Sequence, residues 1–157
     1  MKTAICYYSR HHGNTRKVLE AMARGNGVDL IDVTSRVAVY LEDYDCIGFA
    51  SGIYYSKFQE TVLDFARQYL PKGKDVFFVY TCGSMRKGYT RAIAEVVSDK
   101  EANILGEYGC RGFDTFGPFR LIGGIAKGHP SADELEQARD FYRSLCRKKE
   151  ETIQEDI

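Results

Sequence analysis

The sequence predicts a doubly wound α/β sandwich, in which a five-stranded parallel sheet lies between helices on both faces. Short apolar runs recur along the chain, and each is followed by a polar or glycine-containing turn and then by apolar residues at helical spacing. Strands that are apolar along nearly their whole length are typical of parallel sheets, because helices cover both faces of such sheets. Strands that alternate with helices in this way are typical of the doubly wound arrangement.

Five apolar runs are predicted to form the strands of this sheet. They cover residues 3–8, 28–33, 46–50, 76–80 and 104–110. Gly106 and Gly109 interrupt the fifth run, and glycine weakens a strand.

Helical spacing of apolar residues predicts the elements that follow the strands. The helices are centred on residues 18–22, 62–69 and 93–97, with a last helix from about Ala132 to Arg147. Pro71-Lys72-Gly73 ends the second of them. Ser131 and Glu134 form a capping box at the start of the last one.

Length and composition fit one domain, which we expect to span residues 1–148, followed by a short polar tail at 149–157. The 22 basic and 22 acidic side chains balance, so no basic excess indicates a nucleic-acid partner. No apolar stretch approaches the roughly 18 residues of a membrane-spanning helix. The first residues enter a strand pattern rather than a signal peptide, so we expect a cytoplasmic protein.

The cysteines are odd in number and contain no C-x-x-C pair, so a zinc or iron–sulfur site is not expected. Four of them are expected to behave as small structural hydrophobes, whereas Cys82 follows a strand and invites a catalytic hypothesis. A cysteine phosphatase would need Arg six positions later, but Gly88 stands there, and Cys6 is followed at that distance by His12. No acidic pair follows the first strand, which excludes a two-component receiver domain.

The turn after the first strand carries the strongest functional signal. Helix N-termini expose unpaired N–H groups and the positive end of a dipole, which suits a phosphate. No Lys follows the glycine and no G-x-G-x-x-G is present, so neither a nucleoside-triphosphate loop nor the dinucleotide fingerprint applies. We therefore expect a cradle for one terminal monophosphate, with Arg10 and two imidazoles adding positive charge. Its residues are Ser9, Arg10, His11, His12, Gly13, Asn14 and Thr15.

Three further loops lie beyond the carboxyl ends of the predicted strands, where ligands bind in such sheets. The loop 51–58 places Tyr54, Tyr55 and Phe58 at the mouth of the third strand, which favours a flat apolar ligand. The loop 81–88 supplies small residues that could close around the edge of a planar ring, and 111–128 follows the last strand.

Taken together, these motifs resemble the flavodoxin family. Gly13-Asn14-Thr15 ends the first loop as in that family, aromatic residues follow the third strand, and Thr81-Cys82-Gly83 follows the fourth. Gly128-His129-Pro130 leads into the last helix much as a Gly-Asp-Pro does in short flavodoxins. The similarity covers nearly the whole chain and implies a flavodoxin-like fold.

This resemblance implies that the phosphate belongs to flavin mononucleotide (FMN) and that the protein carries electrons between redox partner proteins. The first loop would bind the phosphate, and two other loops would enclose the isoalloxazine ring. The ring-binding residues would be Ser51, Gly52, Ile53, Tyr54, Tyr55 and Ser56 in one loop and Thr81, Cys82, Gly83 and Ser84 in the other.

The chain also departs from the family pattern. His11 and His12 replace hydroxyl residues, the net charge is zero rather than strongly acidic, and residues 113–127 form an apolar, glycine-rich insertion. This insertion is a candidate to dock a partner, to cover the flavin, or to pad the sheet edge.

Two alternatives to an electron carrier stay open. The run 52–58 is also similar to flavodoxin-fold protoporphyrinogen oxidases, which implies an FMN-dependent oxidoreductase acting on a quinone or porphyrinogen. The other alternative is a protein-interaction module that has lost its flavin.

Overall fold

Five parallel strands form the centre of the molecule, in the computed structural model that describes residues 1–156. With a short antiparallel strand, the sheet has six strands: β1 (Thr3–Tyr8), β2 (Val28–Asp32), β3 (Cys46–Tyr54), β4 (Lys57–Phe58), β5 (Asp75–Cys82) and β6 (Asn103–Arg111). Their order across the sheet is β2-β1-β3-β5-β6, and the two-residue β4 pairs antiparallel with the end of β3. The predicted five-stranded parallel sheet is thus confirmed.

Four α-helices cover the two faces of this sheet. They are α1 (Asn14–Ala23), α2 (Glu60–Tyr69), α3 (Arg91–Ser98) and α4 (Ala132–Glu155), with short 3₁₀ helices at Leu41–Asp43 and Gly117–Ile122. One core layer contains residues of α1 and α4, including Val18, Leu19 and Tyr142, and the other contains residues of α2 and α3, including Val62 and Ile93. Each helix buries its apolar stripe against the sheet, which accounts for the spacing seen in the sequence.

Several boundaries differ from the predicted ones. β3 continues to Tyr54 and turns directly into β4, so part of the predicted loop 51–58 is a hairpin rather than irregular structure. Tyr55 and Ser56 form its two-residue turn with φ of 50° and 64°. Left-handed conformations at both turn positions are what a tight hairpin of this kind requires, and the hydropathy pattern does not reveal them.

The last helix is longer than its apolar pattern predicts. It begins at the predicted capping box, in which the Glu134 N–H donates to Ser131 Oγ, but it runs to Glu155 rather than ending near Arg147. Lys149 makes an ion pair of 3.0 Å with Asp75 and donates to the Asp45 carbonyl. Polar contacts therefore hold part of the stretch predicted as a tail, and apolar periodicity cannot detect them. Within residues 1–156, the helices lack either the length or the apolar character needed to cross a bilayer.

Gly48 lies in the most tightly packed part of the central strand β3. A Cβ atom added there would lie 2.6 Å from Phe77 Cζ and 3.1 Å from Ile5 Cγ1. Interiors are close-packed, so a methyl group at this place must displace the ring.

We expect Gly48→Ala to lower the free energy of unfolding by about 1–3 kcal/mol through this overpacking. Phe77→Leu removes the atoms that the new methyl group would meet, so the double variant should lose less stability than the sum of the two single losses. Urea denaturation of all four proteins measures this coupling. If the two losses of unfolding free energy are additive, the methyl group at position 48 is accommodated without any clash with Phe77.

Candidate functional site

A crevice opens at the carboxyl ends of β1, β3 and β5, where the predicted loops meet. Its cavity measures about 30 Å³. Most of the predicted site residues line it, namely Ser9, Arg10, His11, Asn14, Thr15, Gly52, Ile53, Tyr54, Thr81, Cys82 and Gly83. Four further residues line it that were not predicted, namely Gly112, Phe113, Asp114 and Phe116.

The turn between β1 and α1 brings the start of that helix to the crevice. His12 and Gly13 adopt consecutive left-handed conformations, with φ of 56° and 65°, and α1 begins immediately afterwards. The first N–H groups of a helix have no partner within the helix. Here the Arg16 N–H is satisfied by Ser9 Oγ at 3.1 Å, while Asn14 and Thr15 present the preceding N–H groups. This is a suitable site for an anion.

Asn14 is buried and has one unsatisfied atom. Its Nδ2 donates to the Phe113 carbonyl at 2.7 Å, which fixes the orientation of the amide. Its Oδ1 is the one buried side-chain N or O atom of the described residues that has no hydrogen-bond partner. A buried acceptor without a donor costs about 1–3 kcal/mol, so the position favours a ligand that can donate to it.

Thr15 joins the turn to the neighbouring strand. Its hydroxyl lies 2.8 Å from the hydroxyl of Thr81 at the end of β5, and both side chains are buried. The two predicted loops are therefore held at a fixed distance from each other.

The β3–β4 hairpin forms another wall. Gly52, Ile53 and Tyr54 face the crevice, while the tip of the hairpin is exposed and Tyr55 is 85% accessible. Ser51 is fully buried, where its hydroxyl accepts the Gln59 N–H at 3.0 Å and so anchors the base of the hairpin. Burial raises the pKa of Tyr54 to about 12, so its ring stays neutral in the wall.

The segment 112–116, which follows β6, closes the remaining side. Phe116 packs edge-on against Tyr54 and Tyr55, with ring centroids 5.7 Å apart in both pairs. Gly112 packs so closely that a Cβ there would lie 2.6 Å from Asn14 Nδ2. In the sequence this segment was placed in the loop 111–128 and in the 113–127 insertion, but none of its residues was named as a ligand contact. Its position after a strand that ends at the same sheet edge was the signal that could have identified it.

The two histidines bridge the cradle to this segment. His12 Nε2 lies 2.8 Å from Thr115 Oγ1, and the Thr115 N–H donates to His11 Nε2 at 3.2 Å. His11 lines the crevice, whereas His12 does not. In this structure both rings therefore contact the 112–116 segment.

Several predicted residues lie outside the crevice lining. These are His12, Gly13, Ser51, Tyr55, Ser56 and Ser84. Gly13 and Ser51 have supporting positions in the backbone turn and in the base of the hairpin. Tyr55, Ser56 and Ser84 are exposed beside the crevice, and their contact with a ligand stays a prediction.

Positive and negative groups are unevenly distributed at the crevice. Arg10 lines it and forms an ion pair of 3.7 Å with Asp32, just outside. Asp114 is the carboxylate among the lining residues, and its Oδ1 accepts the Phe116 N–H at 2.7 Å. The same oxygen lies 3.6 Å from His11 Nε2.

Cys82 is a poor nucleophile in this setting. Its Sγ lies 3.2 Å from Met85 Sδ, and burial raises the pKa of its thiol to about 11. A nucleophilic cysteine needs the opposite shift. Together with the spacing to Gly88, this disfavours thiol catalysis.

Comparison with known proteins places the chain among flavodoxins. Residues 4–88 match the family model described as "Flavodoxin domain". An uncharacterized protein of Methanocaldococcus jannaschii is 32% identical over 149 residues, which cover 94% of this chain and 99% of that protein.

Solved structures show the same fold. A flavodoxin from the domain Archaea aligns with a TM-score of 0.69 at 18% identity, covering 94% of this chain and 98% of that one. The Fusobacterium nucleatum flavodoxin bound to flavin mononucleotide aligns with a TM-score of 0.64 at 12% identity, covering 94% and 99% of the two chains. The predicted flavodoxin-like fold is confirmed.

We expect Cys82 to react slowly with iodoacetamide in the folded protein. A pKa of about 11, against an ordinary value of 9.0, lowers the thiolate fraction near pH 8 about 100-fold. Its labelling rate should therefore rise with pH until about pH 11, and denaturant should raise it at least 100-fold. Peptide mass spectrometry measures this, with the partly exposed Cys146 as the internal control. Equal rates for the two cysteines in the native protein would refute a deactivated Cys82.

Proposed function

The chain belongs to the flavodoxin family, and on this premise we propose that it binds FMN noncovalently in the crevice and carries electrons between redox partner proteins. The observation that carries the proposal is the turn before α1. It directs unpaired N–H groups and one unsatisfied buried amide oxygen into the same crevice.

The donor set fits a ribityl phosphate. The N–H groups of Asn14 and Thr15, the Ser9 hydroxyl and the Arg10 guanidinium would hold the phosphate, since each donates hydrogen bonds. Ser9 Oγ already accepts the Arg16 N–H, so its own proton is available to an anion. Asn14 Oδ1 accepts rather than donates, and the hydroxyl groups of the ribityl chain can satisfy it.

The walls of the crevice fit a flat ring. Residues 52–54 and 81–83 would contact the isoalloxazine, with the neutral Tyr54 ring as the aromatic surface. When bound, FMN supplies the one- and two-electron chemistry. The protein positions the group, excludes water from one side and sets the local polarity.

We propose that the 112–116 segment moves when FMN binds. In this structure Phe116 packs against Tyr54 at the crevice and leaves a cavity of about 30 Å³. The contacts that would break are the Phe116 packing against Tyr54 and the contacts of Thr115 with the two histidines. We propose that this segment covers the bound flavin, as one of the three roles expected for the insertion.

We further propose that the protein acts in the cytoplasm. All five cysteines are free thiols, a state that a reducing compartment maintains.

We expect Asn14→Ala to weaken FMN binding about 10- to 100-fold, because each lost hydrogen bond to the ligand contributes about 1–3 kcal/mol. Asn26→Ala is the matched control. Asn26 Nδ2 also donates to a backbone carbonyl, that of Met22 at 2.7 Å, but it lies at the far end of α1. Quenching of FMN fluorescence gives the affinities, and thermal unfolding verifies that both variants fold.

Riboflavin, which lacks the phosphate, should bind at least about 100-fold more weakly than FMN, since the phosphate contacts are charge-assisted. Equal affinity for FMN and riboflavin would contradict the proposal that the turn before α1 binds the phosphate. A purified protein that is colourless and takes up no FMN would support the interaction module instead. Rapid steady-state reduction of a quinone, or oxidation of a porphyrinogen, would favour the enzymatic alternative over a carrier.

A further inference from the structure

The end of the sheet that holds the crevice carries an excess of basic side chains, although the whole chain is neutral. Six exposed basic side chains lie at the last residue of β6 or in the loops after β2, β5 and β6, and none of them forms an ion pair within residues 1–156. We call them the basic rim, which comprises Arg36, Arg86, Lys87, Arg111, Arg120 and Lys127.

Most carboxylates at the same end contact a basic side chain or accept a hydrogen bond. Asp32 pairs with Arg10 at 3.7 Å, and Glu60 contacts Lys57 at 2.9 Å and Arg67 at 3.1 Å. Glu134 accepts the Ser131 N–H at 2.8 Å and contacts His129.

Three more acidic side chains and two further basic ones lie near this end. Asp114 Oδ1 accepts a backbone N–H and lies 3.6 Å from His11 Nε2, and Asp133 in the first turn of α4 is exposed. The exposed Glu107 lies beside Arg86 and Lys87 and accepts the Thr90 hydroxyl. The exposed Lys17 and Arg91 add to the positive side. The net field at the crevice is therefore positive.

The opposite end of the sheet shows no such bias. Exposed carboxylates of Glu42, Asp43 and Asp99 alternate there with basic side chains such as Arg24 and Arg147. Because the chain is neutral overall, the basic excess around the crevice is balanced by an equal excess of carboxylates over the rest of the surface.

Exposed apolar side chains lie on this basic face. Tyr55 is 85% accessible at the hairpin tip, and Leu121 and Ile122 are 89% and 71% accessible in the 3₁₀ helix 117–122. Phe116, which precedes that helix, contacts both Tyr55 and Tyr54. Apolar residues surrounded by charges of one sign are typical of docking surfaces for other proteins.

We propose that this face docks an acidic one-electron carrier protein, an inference that rests on the proposed function. The reduced partner would lose one electron, which the bound flavin would gain. Two such transfers, with protons from water, would complete a two-electron reduction. The positive field would steer the acidic partner to the crevice, and the apolar side chains would exclude water on contact.

A protein fits this surface better than a polyanion or a membrane. The basic rim comes from loops after three different strands and surrounds the crevice, whereas the exposed apolar residues belong to a hairpin tip and one short helix. A nucleic-acid backbone offers nothing to Leu121 and Ile122, and a flat bilayer would not need charges spread over three loops. A rounded acidic protein surface matches both features.

The test uses a plant-type [2Fe–2S] ferredoxin as the acidic carrier and cytochrome c as the basic control. Two double charge reversals, Arg86→Glu with Lys87→Glu and Arg120→Glu with Lys127→Glu, change the rim. Arg24→Glu with Arg147→Glu makes the same charge change at the opposite end. Stopped-flow absorbance measures electron transfer from reduced ferredoxin to the FMN-loaded protein.

At low salt each rim variant should lose at least about tenfold in the second-order rate constant, while the control stays within about twofold of the unmodified protein. The unmodified protein should slow steeply from about 0.01 M to about 1 M salt, over which the Debye length falls from about 30 Å to about 3 Å. A ferredoxin rate that is independent of salt would overturn the inference. So would electron transfer from the reduced protein to cytochrome c that slows as salt rises, because that would show attraction to a basic partner.

A second readout separates docking from flavin chemistry. Calorimetric titration of oxidised ferredoxin into the FMN-free protein should show salt-sensitive binding that both rim variants lose and the control retains. If the protein binds ferredoxin in this way but binds no FMN, the proposed function is refuted and the docking inference stands. If the protein binds phosphatidylserine vesicles but not ferredoxin, the docking inference is overturned.

Discussion

The position of β1 in the sheet is the constraint on which the rest of the structure depends. β1 pairs with β2 on one side and β3 on the other, so the chain moves in one direction from β1 to β2 and in the opposite direction from β3 to β6. Right-handed crossovers then send α1 to one face and α2 and α3 to the other, and α4, which follows the last strand, packs beside α1. The helices separate where the direction reverses, and the crevice lies there.

Every polar feature of the site follows from that separation. The turn after β1 must rise from the sheet and enter α1, so the unpaired N–H groups of that helix face the crevice rather than solvent. Asn14 and Thr15 then extend to the neighbouring segments through the Phe113 carbonyl and the Thr81 hydroxyl. The side chains of these two residues therefore hold the loops together, while their backbone N–H groups face the crevice.

The surface around the crevice is basic, although the chain as a whole has no net charge. A neutral total argues against strong steering of any partner, yet the side chains around the crevice are basic and their carboxylate neighbours are occupied. Local field, rather than total charge, governs the approach of a partner to the crevice, because screening removes contributions beyond about 10 Å at moderate salt.

The sequence by itself determined the strands, the helices and the turn that begins α1, because each rests on local signals. Apolar runs, helical spacing, the capping box at Ser131 and the Gly13-Asn14-Thr15 turn all lie within a few residues of one another. Only the tertiary structure decided the hairpin turn at Tyr55 and Ser56, the extension of α4 through Lys149 and the placing of Phe116 over the crevice. Each depends on partners far away in the chain or on backbone angles that hydropathy does not encode, so only the assembled sheet brings them together.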